Sequence, residues 1–349
     1  MARRARRVLT AALWASVVLW ASLSVPCFAA DGLRVRGNQL LSGTVPVMLR
    51  GVAVGDPILA RQGRPLSDYE RIAHDWHANV VRISLHPSDW KHSPHAQVLD
   101  TLDREMGAAL ANGMYVILDW HSIGWPDGYC EKIRADWTDD PVDLYDSNFA
   151  LAKSFWDEVS ARFGKDGRII FELWNEPVMT KKEEDEGNVR PEWSRLKPYF
   201  AQLVQIVRAH SQNVVLVTGN EWAYDMEGIR EDPLPGANVA YSWHIYAGTD
   251  DDDEKQWAEH LDDLETVAPV MVTEWGFQEH TKEAFKGSAK SFGTKFVRDF
   301  LEKRHLHSTA WCWHPDWTPV MLKPDWKTPT SMGKFVMQYL AAPESMVSH

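Results

Sequence analysis

The 349-residue chain has only three cysteines, and Cys27 lies within its first thirty residues. Cys130 and Cys312 remain, too few for a disulfide framework, so apolar burial has to hold the fold. A bridge between these two needs their Cα atoms within about 7 Å; a buried, free Cys312 is the expectation. Basic charge is scarce as well: 37 Lys and Arg stand against 49 Asp and Glu, a net charge of −12. Residues 1–30 hold four Arg and no acid, which takes the remainder to −16. A surface of that sign repels nucleic acid and anionic membranes but does not oppose a neutral polymer. Beyond residue 30 the chain has no long uncharged apolar run and no Ser/Thr/Pro linker between modules. It also lacks a glycine-rich phosphate turn after its first β-rich stretch, where residues 51–64 read GVAVGDPILARQGR. That argues against an open doubly wound nucleotide-binding sheet.

What is there begins with MARRARRVLTAALWASVVLWASLSVPCFAA. Arg3, Arg4, Arg6 and Arg7 precede an apolar stretch from Val8 to Leu23, then Pro26 and the small Ala29-Ala30. This is the three-part pattern of a secretory signal peptide. An uncleaved anchor is the alternative, because Val8 to Ala30 carries no charge. The expectation is a signal peptide over 1–30 and one domain over 31–349, secreted or periplasmic, monomeric, with no stable membrane association once the signal is removed.

In the rest of the chain, short β-rich runs alternate with longer amphipathic ones. Strands are predicted at 47–54, 79–86, 114–121, 168–176, 213–219, 238–246, 269–276 and 307–314, with helices including 96–112, 147–163, 192–210, 254–267 and 283–304. Eight strand–helix units in about 300 residues predict a closed α/β architecture, the (β/α)8 TIM barrel. Residues 31–46 predict a small N-terminal hairpin closing the barrel bottom. Asp250 to Glu254 reads as favourable charge at a helix N-terminus.

Working residues of such a barrel sit at the C-terminal ends of its strands. The predicted ends are polar: Arg82, Ser84 and His86; Asp119 and His121; Asn175 and Glu176; His244 and Tyr246; Glu274; and Trp311 with Trp313. Six such ends at one mouth, at roughly 1–3 kcal/mol for each polar group left unpaired, are hard to explain as stability. Glu176 and Glu274 fall on opposite sides of that mouth. A carboxylate pair flanking a cleft is what acetal hydrolysis needs, one group donating a proton to the leaving oxygen and the other attacking or activating water. Arg82 and Tyr246 would hold the nucleophile ionised, and burial beside an anion would keep the other Glu protonated. Asn175 would bind a sugar hydroxyl, and Trp313 would form the floor under that sugar. Asn175 and Glu176 are adjacent and cannot both face inward from a regular strand, so a kink or bulge is expected there. Glu172, on the same face as Glu176, calls for a buried partner. Sixteen tryptophans remain after residue 30; Trp125, Trp137, Trp222, Trp317 and Trp326 stand in loop-like contexts, either as core mass or as stacking platforms for sugars.

Taken in order, Arg50-Gly51-Val52, Arg82, Asp119-Trp120-His121, Trp174-Asn175-Glu176-Pro177, His244-Ile245-Tyr246, Thr273-Glu274-Trp275-Gly276 and Trp311-Cys312-Trp313 resemble glycoside hydrolase family 5, of clan A. The resemblance covers the whole chain after residue 30. It implies a retaining β-glycosidase with Glu176 as acid/base and Glu274 as nucleophile, and with Arg82, His121, Asn175, His244, Tyr246 and Trp313 around the sugar. It favours a bacterial endo-β-1,4-glucanase acting on a β-glucan polysaccharide or oligosaccharide. The chain departs from the family pattern at His314, commonly Asn, and at Ala53, often Asn. The same catalytic set serves β-mannan, xyloglucan and mixed-linkage glucan, and loops 122–146 and 177–192 are expected to decide among them. No cofactor and no metal is implied. A metal hydrolase is the first rival, given the many histidines, but strand one has no His-x-His. The second is a non-catalytic sugar-binding barrel, which would have lost one of the two glutamates.

Overall fold

The computed structural model describes residues 31–59, 64–126, 143–178, 193–248, 253–281 and 283–342. Residues 1–30, where a signal peptide is expected, Cys130, Trp137 and most of the two loops expected to set substrate choice lie outside the described residues.

Three short strands open the fold: β1 (Leu33–Arg36), β2 (Gln39–Ser42) and β3 (Val45–Pro46), paired antiparallel in that order. Eight more follow: β4 (Arg50–Gly55), β5 (Val80–Leu85), β6 (Tyr115–Trp120), β7 (Ile169–Glu172), β8 (Val215–Thr218), β9 (Val239–Tyr246), β10 (Val270–Gly276) and β11 (His307–Ala310). Each pairs in parallel with the next, and β11 closes on β4. This is the expected (β/α)8 barrel. All six residues of β5 and of β6 are buried, because inward side chains fill the barrel and outward ones meet the helical layer. The N-terminal sheet, one strand larger than the predicted hairpin, packs Leu33 and Leu40 against Val80, Tyr115, Ile170, Leu216, Ala240 and Met271. These residues lie toward the strand starts, so the sheet plugs the barrel floor.

The helices follow from local sequence. In Phe149–Phe163 the Asn148 side chain accepts from the backbone N–H of Ala150 and Leu151, and Ala152, Phe155, Trp156, Val159 and Phe163 form the buried stripe. In Glu254–Leu261 the Asp253 carboxylate caps Lys255 and Gln256, in line with the helix-terminus reading of the acidic run. The expected helix over 283–304 is shorter. It spans Ala289–Leu301 behind a Ser288–Ser291 cap and buries Phe292, Phe296 and Phe300 around Trp257. Phe285 is outside it and meets Tyr246 edge-on at 4.9 Å.

Two strands end four residues earlier than predicted, β7 at Glu172 and β11 at Ala310. Both corrections bear on the mouth of the barrel.

Candidate active site

Beyond Glu172 the chain stays attached to the β6 side. The Asn175 N–H donates to the Trp120 carbonyl at 3.1 Å and the Glu176 N–H to that of Ser122 at 3.0 Å. Ile123 pairs with Glu176 in the same offset that pairs Asp119 with Glu172, so the register, shifted at Asn175, is restored by Glu176. This local irregularity, with a bend at Asn175, turns both polar side chains inward. A true bulge occurs across the barrel: between β9 and β10 the pairing steps from Val272↔Trp243 to Glu274↔His244, passing over Thr273. That extra residue lets Thr273 and Glu274 both face inward, which regular alternation forbids.

Arg82 is the hub and is fully buried. Its Nε donates to Glu172 Oε2 at 2.5 Å, its Nη1 to Glu274 Oε1 at 2.6 Å and its Nη2 to Asn175 Oδ1 at 2.7 Å. Nη2 also lies 3.0 Å from Asp119 Oδ2. The buried partner that Glu172 required is therefore Arg82, with Thr273 Oγ1 donating to its other oxygen at 2.7 Å. The Tyr246 hydroxyl donates to Glu274 Oε2 at 2.5 Å. His244 Nδ1 lies 3.0 Å from Glu176 Oε1 and its Nε2 lies 3.0 Å from Thr273 Oγ1. The period of two along β9 is what brings His244 and Tyr246 to one side. His121 is held through Nδ1 by Asp119 Oδ2 at 2.7 Å.

The two glutamates have oxygens within 4.8 Å of each other and of a His244 nitrogen. Their proton affinities diverge. Burial, reinforced by the Glu274 charge, pushes the Glu176 carboxyl up against the pull of its His244 bond. Burial would raise Glu274 too, but the charges of His244 and Arg82 outweigh it and hold Glu274 low. Burial opposes a charge on His244; the surrounding Glu274, Glu172 and Glu176 prevail and push it up to about 10. Glu172 is held at about 2, its burial overcome chiefly by Arg82. Asp119 is raised, first by burial and then by Glu172 and Glu274, against Arg82. Glu172 and Glu274, favoured as anions, thus offset Arg82 and His244, favoured as cations, while burial shifts Glu176 and Asp119 toward the protonated form. Neutrality of this kind is what makes so many buried ionisable groups tolerable.

Of the sequence-predicted residues, Glu176, Glu274, Arg82, Asn175, His244 and Tyr246 meet in this network, and His121 stands beside it through Asp119. Trp313 does not. It is fully buried behind the mouth, its Nε1–H donates to Asp68 Oδ2 at 2.9 Å, and its ring meets Trp76 edge-on at 4.6 Å. Because β11 ends at Ala310, strand alternation no longer governs positions 311–313. The half-buried Trp311 takes the cleft side instead, parallel to His121 at 5.4 Å between ring centroids. The aromatic content of Trp311-Cys312-Trp313 signalled the pair of candidates, and only the strand end separates them. Trp125 is likewise core, 1% exposed, whereas Trp222 is 45% exposed beside Pro177, to whose carbonyl its N–H donates. His314 lies flat on Trp317 at 4.0 Å and Cys312 is a buried free thiol.

Comparison with known proteins agrees with this fold. The family model for cellulase, glycosyl hydrolase family 5, matches residues 44–316. The chain is 28% identical over 255 residues to cellulase CelDZ1 of a Thermoanaerobacterium species, covering 71% of this chain and 61% of that protein. It is 27% identical over 282 residues to endoglucanase A of Evansella cellulosilytica, covering 80% and 51% respectively. It thus spans less than two thirds of the length of these curated relatives. The β-glucanase SdGluc5_26A of Saccharophagus degradans, solved in complex with cellotetraose, superposes with a TM-score of 0.77 at 27% identity, covering 89% of this chain and 93% of that one. With the barrel, the mouth and this match over most of its length, the chain belongs to the cellulase family, glycosyl hydrolase family 5.

Proposed function

We propose that the protein is a retaining endo-β-1,4-glucanase in which Glu274 is the nucleophile and Glu176 the acid/base. One observation carries this reading: two carboxyl groups with oxygens within 4.8 Å, one pushed toward the acid by burial and the other pulled toward the carboxylate, against its burial, by His244 and Arg82. That spacing suits direct attack on a sugar between them and is short for the roughly 6.5–9.5 Å that an intervening water requires. Glu274 attacks the anomeric carbon, the bond to the leaving oxygen breaks, and that oxygen takes the Glu176 proton. With Glu274 esterified, its charge no longer raises Glu176, which then removes a proton from water; the hydroxide attacks the same carbon and Glu274 leaves as carboxylate. The Asn175 oxygen is taken by Arg82, so its NH2 is the group that donates to a sugar hydroxyl. Trp311 supplies the apolar face under the reacting sugar. The exposed Trp222, next to the segment bearing Glu176, supplies one for the leaving half of the chain.

The β-glucan substrate is supported by the endoglucanase and cellulase names of the relatives and by the cellotetraose bound to the Saccharophagus enzyme. Product mapping tests it. Carboxymethyl cellulose, barley glucan, mannan, xyloglucan and xylan are incubated with the protein, with Glu274→Gln as blank. Short oligomers from the first two alone are expected. Release only from mannan or xyloglucan would keep the mechanism and move the specificity; silence from folded protein would sink the enzyme reading. We also propose export to the periplasm or medium, on the pattern of residues 1–30. N-terminal sequencing of protein expressed from the full gene should begin near Asp31, and an N-terminus at residue 1 or 2 would refute cleavage.

A further inference from the structure

Glu172 does not touch the place where a sugar would react, yet it holds both cations of the site. Its Oε2 takes the Arg82 Nε–H at 2.5 Å. Its Oε1 takes the Thr273 hydroxyl proton at 2.7 Å. Thr273 Oγ1 in turn is 3.0 Å from His244 Nε2. A hydroxyl has one proton. With that proton committed to a carboxylate that can only accept, Thr273 can only accept from His244, so Nε2 must carry a hydrogen. The second nitrogen, Nδ1, faces Glu176 Oε1 at 3.0 Å.

We propose that Glu172 is a positioning residue that, through Thr273, fixes a proton on His244 Nε2 and thereby keeps a cation beside Glu176. The inference rests on Glu176 being the acid/base. An imidazolium at His244 donates from Nδ1 to Glu176 Oε1, which leaves Oε2 to carry the acidic proton. The same cation makes Glu176 a willing carboxylate in the second step, when it must accept a proton from water. The direction in which His244 titrates agrees with this arrangement. The other ionisable groups packed around the relay are Arg82 from β5, Asp119 from β6 and His121 just beyond it, Tyr246 from β9 and Glu274 from β10. None of them reaches His244 Nε2 through a hydrogen bond; Glu172 Oε1 itself is 3.9 Å from it.

Glu172→Gln gives a prediction with a discriminating sign. The amide oxygen must face Arg82 Nε–H, because two donors would collide there. The NH2 then faces Thr273, whose hydroxyl must turn and donate to His244 Nε2. The ring becomes neutral with its proton on Nδ1, and Glu176 loses the cation at 3.0 Å. The alkaline limb of kcat/KM should therefore move up by about one pH unit. Removal of a carboxylate that acted only through space would move it down.

The experiment is 15N NMR of the histidine side chains in the full protein, assigned with His244→Gln, together with the pH profile on barley glucan. Wild type should show both His244 nitrogens protonated at pH 7. Glu172→Gln should show Nε2 unprotonated and the limb shifted upward. Thr273→Val, which breaks the relay but leaves Arg82 bound, should shift both readouts the same way by less, and it serves if Glu172→Gln does not fold. Thr273→Ser should match wild type. Nε2 staying protonated in both Glu172→Gln and Thr273→Val, or a limb that stays or falls, overturns the proposal. The NMR readout does not need turnover, so absence of glucan hydrolysis would refute the proposed function while still leaving the relay decided.

Discussion

Glu176 and Glu274 are the same side chain in two environments. One has a single cation at hydrogen-bond distance and a neighbouring anion; the other has Arg82 and a tyrosine hydroxyl on its two oxygens. Glu274→Gln should fold as wild type and lose at least about 10³-fold in turnover, since a neutral amide cannot form the ester; circular dichroism and glucan hydrolysis check this, and retained activity would reassign the nucleophile. Glu176→Gln should lose a comparable factor on glucan but recover on an aryl cellobioside whose leaving group needs no proton, with azide taking the place of water; no recovery would remove the acid role. The two tryptophans divide the same way. Trp311→Ala should lower kcat/KM about tenfold or more with little change in stability. Trp313→Ala should cost about 3–5 kcal/mol in urea unfolding, because it empties a buried site and takes the donor from Asp68 Oδ2. The opposite pattern would return Trp313 to the cleft.

At the scale of elements, the site depends on where strands stop being regular. β7 ends at Glu172, a bend at Asn175 turns two neighbours inward, and the bulge at Thr273 does the same on β10. The alternation in the sequence predicted that Asn175 and Glu176 needed such an irregularity, but it did not give the kind. Nothing in Val272-Thr273-Glu274 marks the bulge, because Val272 and Thr273 are good strand formers and no Gly interrupts them. The barrel leaves little slack between strands. A Cβ on Gly51 would sit 1.7 Å from the Val80 carbonyl oxygen of the neighbouring strand. Gly51→Ala should therefore part β4 from β5 at a cost of about 3 kcal/mol, read from the urea midpoint, and an unchanged midpoint would show that the strands can move apart freely.

The whole molecule couples pH to stability through a histidine packed far from the mouth. His307, at the start of β11, uses Nδ1 to accept the Leu49 N–H at 3.1 Å, and burial lowers its pKa to about 4. In the unfolded chain it titrates near 6.5. Its contribution is complete above that value and is lost as pH falls from about 6.5 toward 4, because only the unfolded state binds the proton in that window. Between pH 7 and 4.5 the wild type should lose about 2–3 kcal/mol more than His307→Asn, whose amide oxygen can still accept from Leu49. Equal losses in the two proteins would place the acid sensitivity elsewhere.

The fold class was legible because it depends on local periodicity repeated eight times, and the two glutamates because each ends a predicted strand beside other polar residues. Arg82, Asn175, His244 and Tyr246 were found by the same logic, since residue types at strand ends are fixed by position along the chain. The tertiary structure decided the rest, through contacts between residues distant in sequence. It gave Glu172 its partners on β5 and β10, shifted the proton affinities of Glu176 and Glu274 in opposite directions, and ended β11 one residue before Trp311. It also put Trp125 in the core and left Trp222 at the surface, a choice that side-chain type cannot make. Sequence spacing sets which residues reach the mouth; charge balance and strand ends, which exist only once the barrel closes, set what each of them does there.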